Sequence, residues 1–296
     1  MTDTPFRPEV STRLLVHALV REDGTVDAAE LYTVAGLFGM SDQQVRLCVK
    51  RLVAEGRFTH EGRGRKAVLR AVADVTGALA PDADYVRYAY AQDAGRAPWD
   101  GRWHLFAFAI PETRRAARDT LRDTLVHLGA APLHAGLYVS PNPIEDHIEA
   151  EARRLGVLDA VTFLTSTDLR TAGTEAPAAL AAALWPLDEI AARYERLTAF
   201  ARAGLTRLTS PAGARTEAEQ LVMAVELAAE FSRAMRPDPL LPPELLPRPW
   251  PGATARRLSA ECWERLLDSR TALSADRPLP RLFRLYADVA APDGDG

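Results

Sequence analysis

The stretch Ser41-Asp42-Gln43-Gln44-Val45-Arg46-Leu47-Cys48-Val49-Lys50-Arg51-Leu52-Val53-Ala54-Glu55-Gly56 decides the reading of the N-terminal region. Ser41 is suited to cap a helix, because its hydroxyl can accept one of the orphan amide protons of the first turn. Gly56 is placed to stop that helix. Within it, Val45, Cys48, Val49 and Leu52 recur at i, i+3, i+4 and i+7 and make one apolar stripe. Gln43, Arg46 and Lys50 take the opposite side, with Gln44 and Arg51 on its flanks. Upstream, Thr25-Val26 reads as short and extended. Asp27 can cap a helix over Ala28–Ala35, with Glu30 in the capping-box position. Gly39 permits a tight turn between the two helices, and two helices so joined are a helix-turn-helix pattern.

The segment after the second helix gives its polar face a purpose. Arg57-Phe58-Thr59-His60-Glu61 reads as a strand, Gly62-Arg63-Gly64-Arg65 as a hairpin tip, and Lys66-Ala67-Val68-Leu69-Arg70 as the return strand. A basic, glycine-rich hairpin in this place is the wing of a winged helix. Residues 41–70 hold eight Arg and Lys against three Asp and Glu, a local charge of +5 in a chain whose net charge is -4. Such asymmetry suits DNA, which responds to the local face and not to the sum. Arg can grip guanine edges bidentately, Gln can grip adenine, and Lys can neutralise phosphate. We therefore expect Ser41, Gln43, Gln44, Arg46 and Lys50 at or near the bases. Arg51, Arg63, Arg65 and Lys66 are expected on the phosphate backbone.

The rest of the chain divides by changes of hydrophobic period. Residues 1–73 form the winged helix in this reading, as three helices and two short strands. Residues 74–98 form a connector, opened by Pro81, with a helix over Ala83–Tyr90. Residues 99–172 alternate strand and helix. Trp103–Ile110 is an apolar run resembling a strand buried on both faces. A helix runs from Pro111-Glu112 to about Leu128, Ala130–Ser140 holds two short strands, a helix spans Ile144–Leu155, and Ala160–Leu164 is the last strand. That β-α-β-β-α-β order predicts a ferredoxin-like domain. Residues 173–291 read as all-helical from Trp185 onward, with a Pro-rich bridge at 237–251 packed on helices and a final helix around Arg256–Leu267. The tail from Pro292 is expected to be disordered. The fold class expected is multidomain α+β.

No catalytic or metal constellation emerges. The two cysteines, Cys48 and Cys262, have no Cys or His at ligand spacing, and no His pair has a tight ligand spacing with a carboxylate partner. There is no Gly-x-Ser-x-Gly elbow, phosphate-binding loop or dinucleotide fingerprint. No metal and no cofactor are expected, and the chain is not expected to be an enzyme. The competing class is an acyl-CoA or nucleic-acid hydrolase with an accessory winged helix. The opening Met1–Pro5 lacks a signal pattern and no apolar run is long enough to span a bilayer, so we expect a cytoplasmic protein without membrane contact. Trp99-Asp100-Gly101-Arg102-Trp103 reads as a turn packing a domain boundary. Its alternative is an effector contact through Arg102 and Trp103, with Arg193 and Tyr194 as weaker candidates.

Several stretches resemble the phenylacetic-acid repressor (PaaX-like) family. They are Phe38–Arg46 continued by Val49–Gly56, and the wing Gly62-Arg63-Gly64-Arg65-Lys66. Further along come Trp99–Trp103, Pro111-Glu112, Gly136–Pro141, Asp238–Pro247 and Trp250-Pro251-Gly252. Together they span nearly the whole chain in order. The resemblance implies a winged helix, a central ferredoxin-like domain and a helical C-terminal domain. It implies a homodimer that represses genes from an inverted-repeat operator on double-stranded DNA. It also implies release by a small-molecule effector, an acyl-CoA thioester such as phenylacetyl-CoA. The family's central domain resembles a small CRISPR adaptation nuclease that places a metal-binding Asp near the end of its first strand. Here that strand, Phe106-Ala107-Phe108-Ala109-Ile110-Pro111, has no carboxylate, so a dimerisation or scaffold role is expected.

Overall fold

The computed structural model of the chain describes residues 8–62, 64–72, 83–171, 173–210, 216–273 and 278–290. Pro81, the start of the expected connector, and the tail from Pro292 lie outside the described residues. The chain is mixed α/β, with two small antiparallel sheets and many helices. It divides into two compact units, the first made of residues 1–87, 194–236 and 252–296, the second of residues 88–193 and 237–251.

The first unit begins with α1 (Thr12–Ala18), β1 (Thr25–Asp27), α2 (Ala28–Leu37) and α3 (Asp42–Ala54), followed by β2 (Phe58–Glu61) and β3 (Val68–Ala71). The three strands pair antiparallel in the order β1-β3-β2. The extended Thr25-Val26 is thus an edge of the hairpin sheet, with Val26 opposite Leu69. The return strand starts at Val68, two residues later than its sequence suggests. Gly64–Lys66 coils into a 3₁₀ turn instead, so Lys66 sits on the turn.

Helices from the far end of the chain complete this unit: α8 (Leu187–Thr209) from Tyr194 onward, α9 (Glu217–Met235), α10 (Pro251–Leu273) from Gly252 onward, and α11 (Arg281–Ala290). Thr216 caps α9 with Glu219 in a full capping box. The helix is buried on every side from Gln220 to Ser232, and α2 packs against it. Trp263 stacks on Tyr286 at 4.6 Å, and Phe283 meets it edge-on. Burial pushes the Tyr286 phenol up to about 12, and its oxygen lies 3.2 Å from that of Ser232. The helix expected around Arg256–Leu267 is α10, longer at both ends. It is not the last one: α11 comes after it. The amide of Arg281 donates to Val20 O at 2.8 Å, that of Glu22 to Leu279 O at 3.0 Å, and the Arg281 Nε to Arg21 O at 3.0 Å. The C-terminal helix is therefore tied to the loop between α1 and β1.

The second unit holds β4 (Trp103–Phe108), α5 (Arg115–His127), β5 (Ala131–His134), β6 (Leu137–Ser140), α6 (Glu145–Arg154) and β7 (Val161–Ser166), with sheet order β5-β6-β4-β7 and every neighbouring pair antiparallel. Phe106, opposite Tyr138 and Phe163, faces the core shared with Leu121 and Leu125 of α5 and Ile148 and Ala152 of α6. β4 ends at Phe108, short of Ile110, and is not buried on both faces. The helices cover the Phe106 face, while Leu105 is half-buried and its neighbour Leu164 is exposed. A helix absent from the sequence reading, α7 (Pro177–Leu184), packs against β5. The helix α4 (Ala83–Asp93) contributes its second half. The Pro-rich bridge is fixed in this unit. Leu240 adopts a left-handed φ of 51° while its carbonyl accepts from Gln92 and Asn142, both at 2.9 Å, and its amide donates to Asp238.

Candidate nucleic-acid interface

The cap on α3 is the reciprocal one its sequence encodes. The Gln44 amide donates to the Ser41 hydroxyl at 3.2 Å, and Gln44 Oε1 accepts from the Ser41 amide at 2.8 Å. Ser41 thus acts in the cap, and the carbonyl oxygen of Gln44 is taken by it. Val45 and Leu52 are fully buried, and Cys48 and Val49 are half-buried. That rotation sets Gln43, Arg46, Lys50 and Arg51 outward, all exposed. Gly39, with φ of 75° and open space around it, makes the turn from α2 that orients the helix.

The hairpin stands beside this face. Strand alternation puts Phe58 and His60 on one side, opposite Ala71 and Leu69. Phe58 is buried and His60 exposed. Between α2, α3 and the hairpin lies a concavity of about 700 Å³. Leu31, Val49, Val53 and Leu69 line its inner part, and the exposed Arg46, Lys50 and His60 border it. Arg63 and the side chain of Arg65 lie outside the described residues. Lys66, on the 3₁₀ turn, is exposed.

Few carboxylates neutralise this surface. Arg46 stands 4.0 Å from Asp42, and Arg70 is 3.3 Å from Glu61. Among the described residues no carboxylate pairs with Lys50, Arg51, Arg57 or Lys66. Beneath it, Arg13 of α1 binds Glu55 with two hydrogen bonds, which hold the Glu55 carboxyl below its ordinary range. His17 packs its ring 5.5 Å from Phe58, and burial, aided by Arg13 and Arg57, pushes its pKa down. Burial likewise raises the Cys48 thiol.

The four effector candidates differ in exposure and in the unit that holds them. Arg102 is exposed, and its turn closes on itself: Arg102 N donates to Asp100 Oδ1 at 2.8 Å and Trp99 Nε1 to Arg102 O at 3.0 Å. Trp103 is 1% exposed, stacked on Trp185 and met edge-on by Trp99. Arg193 is exposed, whereas Tyr194 is buried, accepting from Arg256 at 2.8 Å. Arg102, Trp103 and Arg193 belong to the second unit and Tyr194 to the first. Among the described residues no group of three His, Cys, Asp or Glu is arranged to hold a metal ion, and no helix is long and apolar enough to cross a membrane.

Two residues escaped the sequence reading, His60 at this surface and His104 in the second unit. His60 borders the concavity, and strand alternation with Phe58 was the available signal. His104 is buried in β4 with its Nδ1 on Glu145, a contact between positions 41 apart that no local pattern announces.

Fold and site define a mixed α/β protein that presents an exposed cationic helix with a hairpin beside it. The chain belongs to the PaaX-like family: residues 96–181 match the PaaX protein central Cas2-like domain, and residues 185–274 match the PaaX-like protein C-terminal domain. It is 26% identical over 263 residues to the transcriptional repressor PaaX of Escherichia coli (strain K12), covering 88% of this chain and 80% of that one. It is also similar to the solved structure of an uncharacterized protein from Mycobacterium tuberculosis, at 25% identity over 88% of this chain and 95% of that one, with a TM-score of 0.48.

Proposed function

We propose that this protein is a DNA-binding transcriptional regulator, a repressor that grips double-stranded DNA through α3 and the hairpin after it. The observation that carries the reading is the outward set Gln43, Arg46, Lys50 and Arg51 on a helix whose opposite face is locked in the core. Membership of a family that includes a protein named a transcriptional repressor supports it. In this reading residues 1–73 act as a winged helix-turn-helix and 74–98 as a connector. Residues 99–172 act as a ferredoxin-like dimerisation scaffold without catalytic chemistry, and residues 173–291 as a helical domain. α3 enters the major groove, Gln43, Arg46 and Lys50 meet base edges, and Arg51 and Lys66 meet phosphates. A homodimer would set two such helices roughly 34 Å apart, or a multiple of it, on an inverted repeat. A small-molecule effector, an acyl-CoA thioester in the first instance, would favour a dimer geometry that spoils this spacing. The protein would act in the cytoplasm, where its DNA is.

The test is a gel shift with the full-length protein on the DNA upstream of its own gene, repeated across a salt series. Specific retention that weakens steeply with salt, and is relieved by aryl-acyl-CoA thioesters, is the expected result. Equal, weak retention of every duplex would sink the regulator reading. Turnover of the thioester in the same assay would point to an enzyme instead.

A further inference from the structure

We propose that Leu47 is a sequence-reading residue of this protein, and that what it reads is the C5-methyl group of a thymine in the major groove. The inference rests on the DNA-binding reading above and specifies one contact within it. Leu47 is 49% exposed in the middle of α3. Its neighbours one helical turn away are Gln43 and Gln44 on one side and Lys50 and Arg51 on the other. It is thus an apolar island at the centre of the polar face, on the side away from the buried Val45 and Leu52.

A single leucine on a protein surface is ordinary. Its position sets this one apart. Leu47 cannot turn inward, because rotating α3 to bury it would expose Val45 and Leu52. In water its neighbours offer it only methylene stems that end in amide and cationic groups. Against a duplex it meets the one apolar feature that a base pair presents in the major groove, the thymine methyl. Gln and Arg read hydrogen-bonding edges and cannot sense that group. Leu47 supplies a discrimination that its neighbours lack: thymine against cytosine, and a methylated pyrimidine against an unmethylated one.

The experiment removes only the methyl. A duplex is selected from a random pool by the full-length protein, then resynthesised with dU in place of dT at one position at a time. The wild-type protein should lose about fourfold in affinity at one thymine of its site, the worth of one buried methyl group. The Leu47→Ala protein should be indifferent to that same replacement while keeping its preferences elsewhere; alanine at an exposed helical position favours the helix, so the variant folds. If no dU replacement weakens the wild type, or if the variant keeps the methyl dependence, the role of Leu47 is overturned. Failure to enrich any duplex overturns the DNA-binding reading itself, and this proposal with it.

Discussion

Arg13 donates from both terminal guanidinium nitrogens, at 3.1 and 2.7 Å, to the two carboxylate oxygens of Glu55, and so ties α1 to the residue that ends α3. Both side chains are half-exposed, so the pair is screened by salt and contributes modestly. Arg13→Ala should lower the thermal midpoint slightly at low ionic strength, and the difference should disappear near ~1 M salt. The hydrogen bond holds the Glu55 pKa below its unfolded value. Its stabilisation is therefore complete above the ordinary carboxylate range and is lost only as pH falls through the lowered value. A midpoint difference indifferent to salt would show that Arg13 acts through packing.

Base contacts and phosphate contacts leave different signatures. Arg46→Ala should cost about 1–3 kcal/mol on the best duplex and relax preference at one position. Lys66→Ala, on the hairpin turn, should weaken all duplexes alike and reduce the salt slope by about 1. Preference and slope, measured side by side, assign the roles; an unchanged preference with Arg46→Ala removes that residue from the bases, and an unchanged slope with Lys66→Ala removes that one from the backbone.

Two glycines with the same backbone twist should tolerate a methyl group very differently. Gly39 and Gly136 both have φ of 75°, but a Cβ at Gly39 meets nothing within 4 Å, whereas one at Gly136 lies 2.6 Å from the Phe108 carbonyl oxygen. Gly39→Ala should cost about 1 kcal/mol, the left-handed penalty alone. Gly136→Ala should cost ~2 kcal/mol more, since the edge of β4 must move. Urea titrations report both, and equal costs would mean that the backbone around Gly136 yields freely.

His17 predicts an acid weakness in the first unit. Its pKa is lowered, chiefly by burial, so the unfolded chain binds the extra proton more readily than the folded one. The neutral ring is fully compatible with folding above the ordinary histidine range, and stability falls as pH drops below about 6.5 toward the lowered value. Melting curves between about pH 5 and 7.5 should show this slope in the wild type and a flatter one for His17→Leu. Parallel slopes would shift the acid sensitivity to another group.

Local signals carried much of this structure. The Ser41 cap, the Gly39 turn and the Val45–Leu52 stripe lie within a few residues of one another, so each helix boundary was readable from its own neighbourhood. The four-stranded order was readable because each helix in it has a stop, Gly129 or Gly156. The features that escaped depend on partners far along the chain. The extended Thr25-Val26 was read, but not its pairing with Leu69 and Arg70, and Trp103 is fixed by Trp185. α7 escaped because its Ala-rich sequence buries only Leu180 and Ala181 and so has a weak stripe. α11 did carry a signal, Leu282, Phe283 and Tyr286 after Pro280, but its meaning lies in the aromatic stack with Trp263. At the candidate interface, charge drew the eye and the apolar Leu47 between the charges went unread.

The tie between Leu279–Arg281 and Val20–Glu22 sets an order of events in the cell. A ribosome releases the basic helix and hairpin early, yet the loop between α1 and β1 waits for backbone partners made 260 residues after Arg21. A chain that stops short of residues 279–281 therefore lacks these backbone partners for Val20–Glu22.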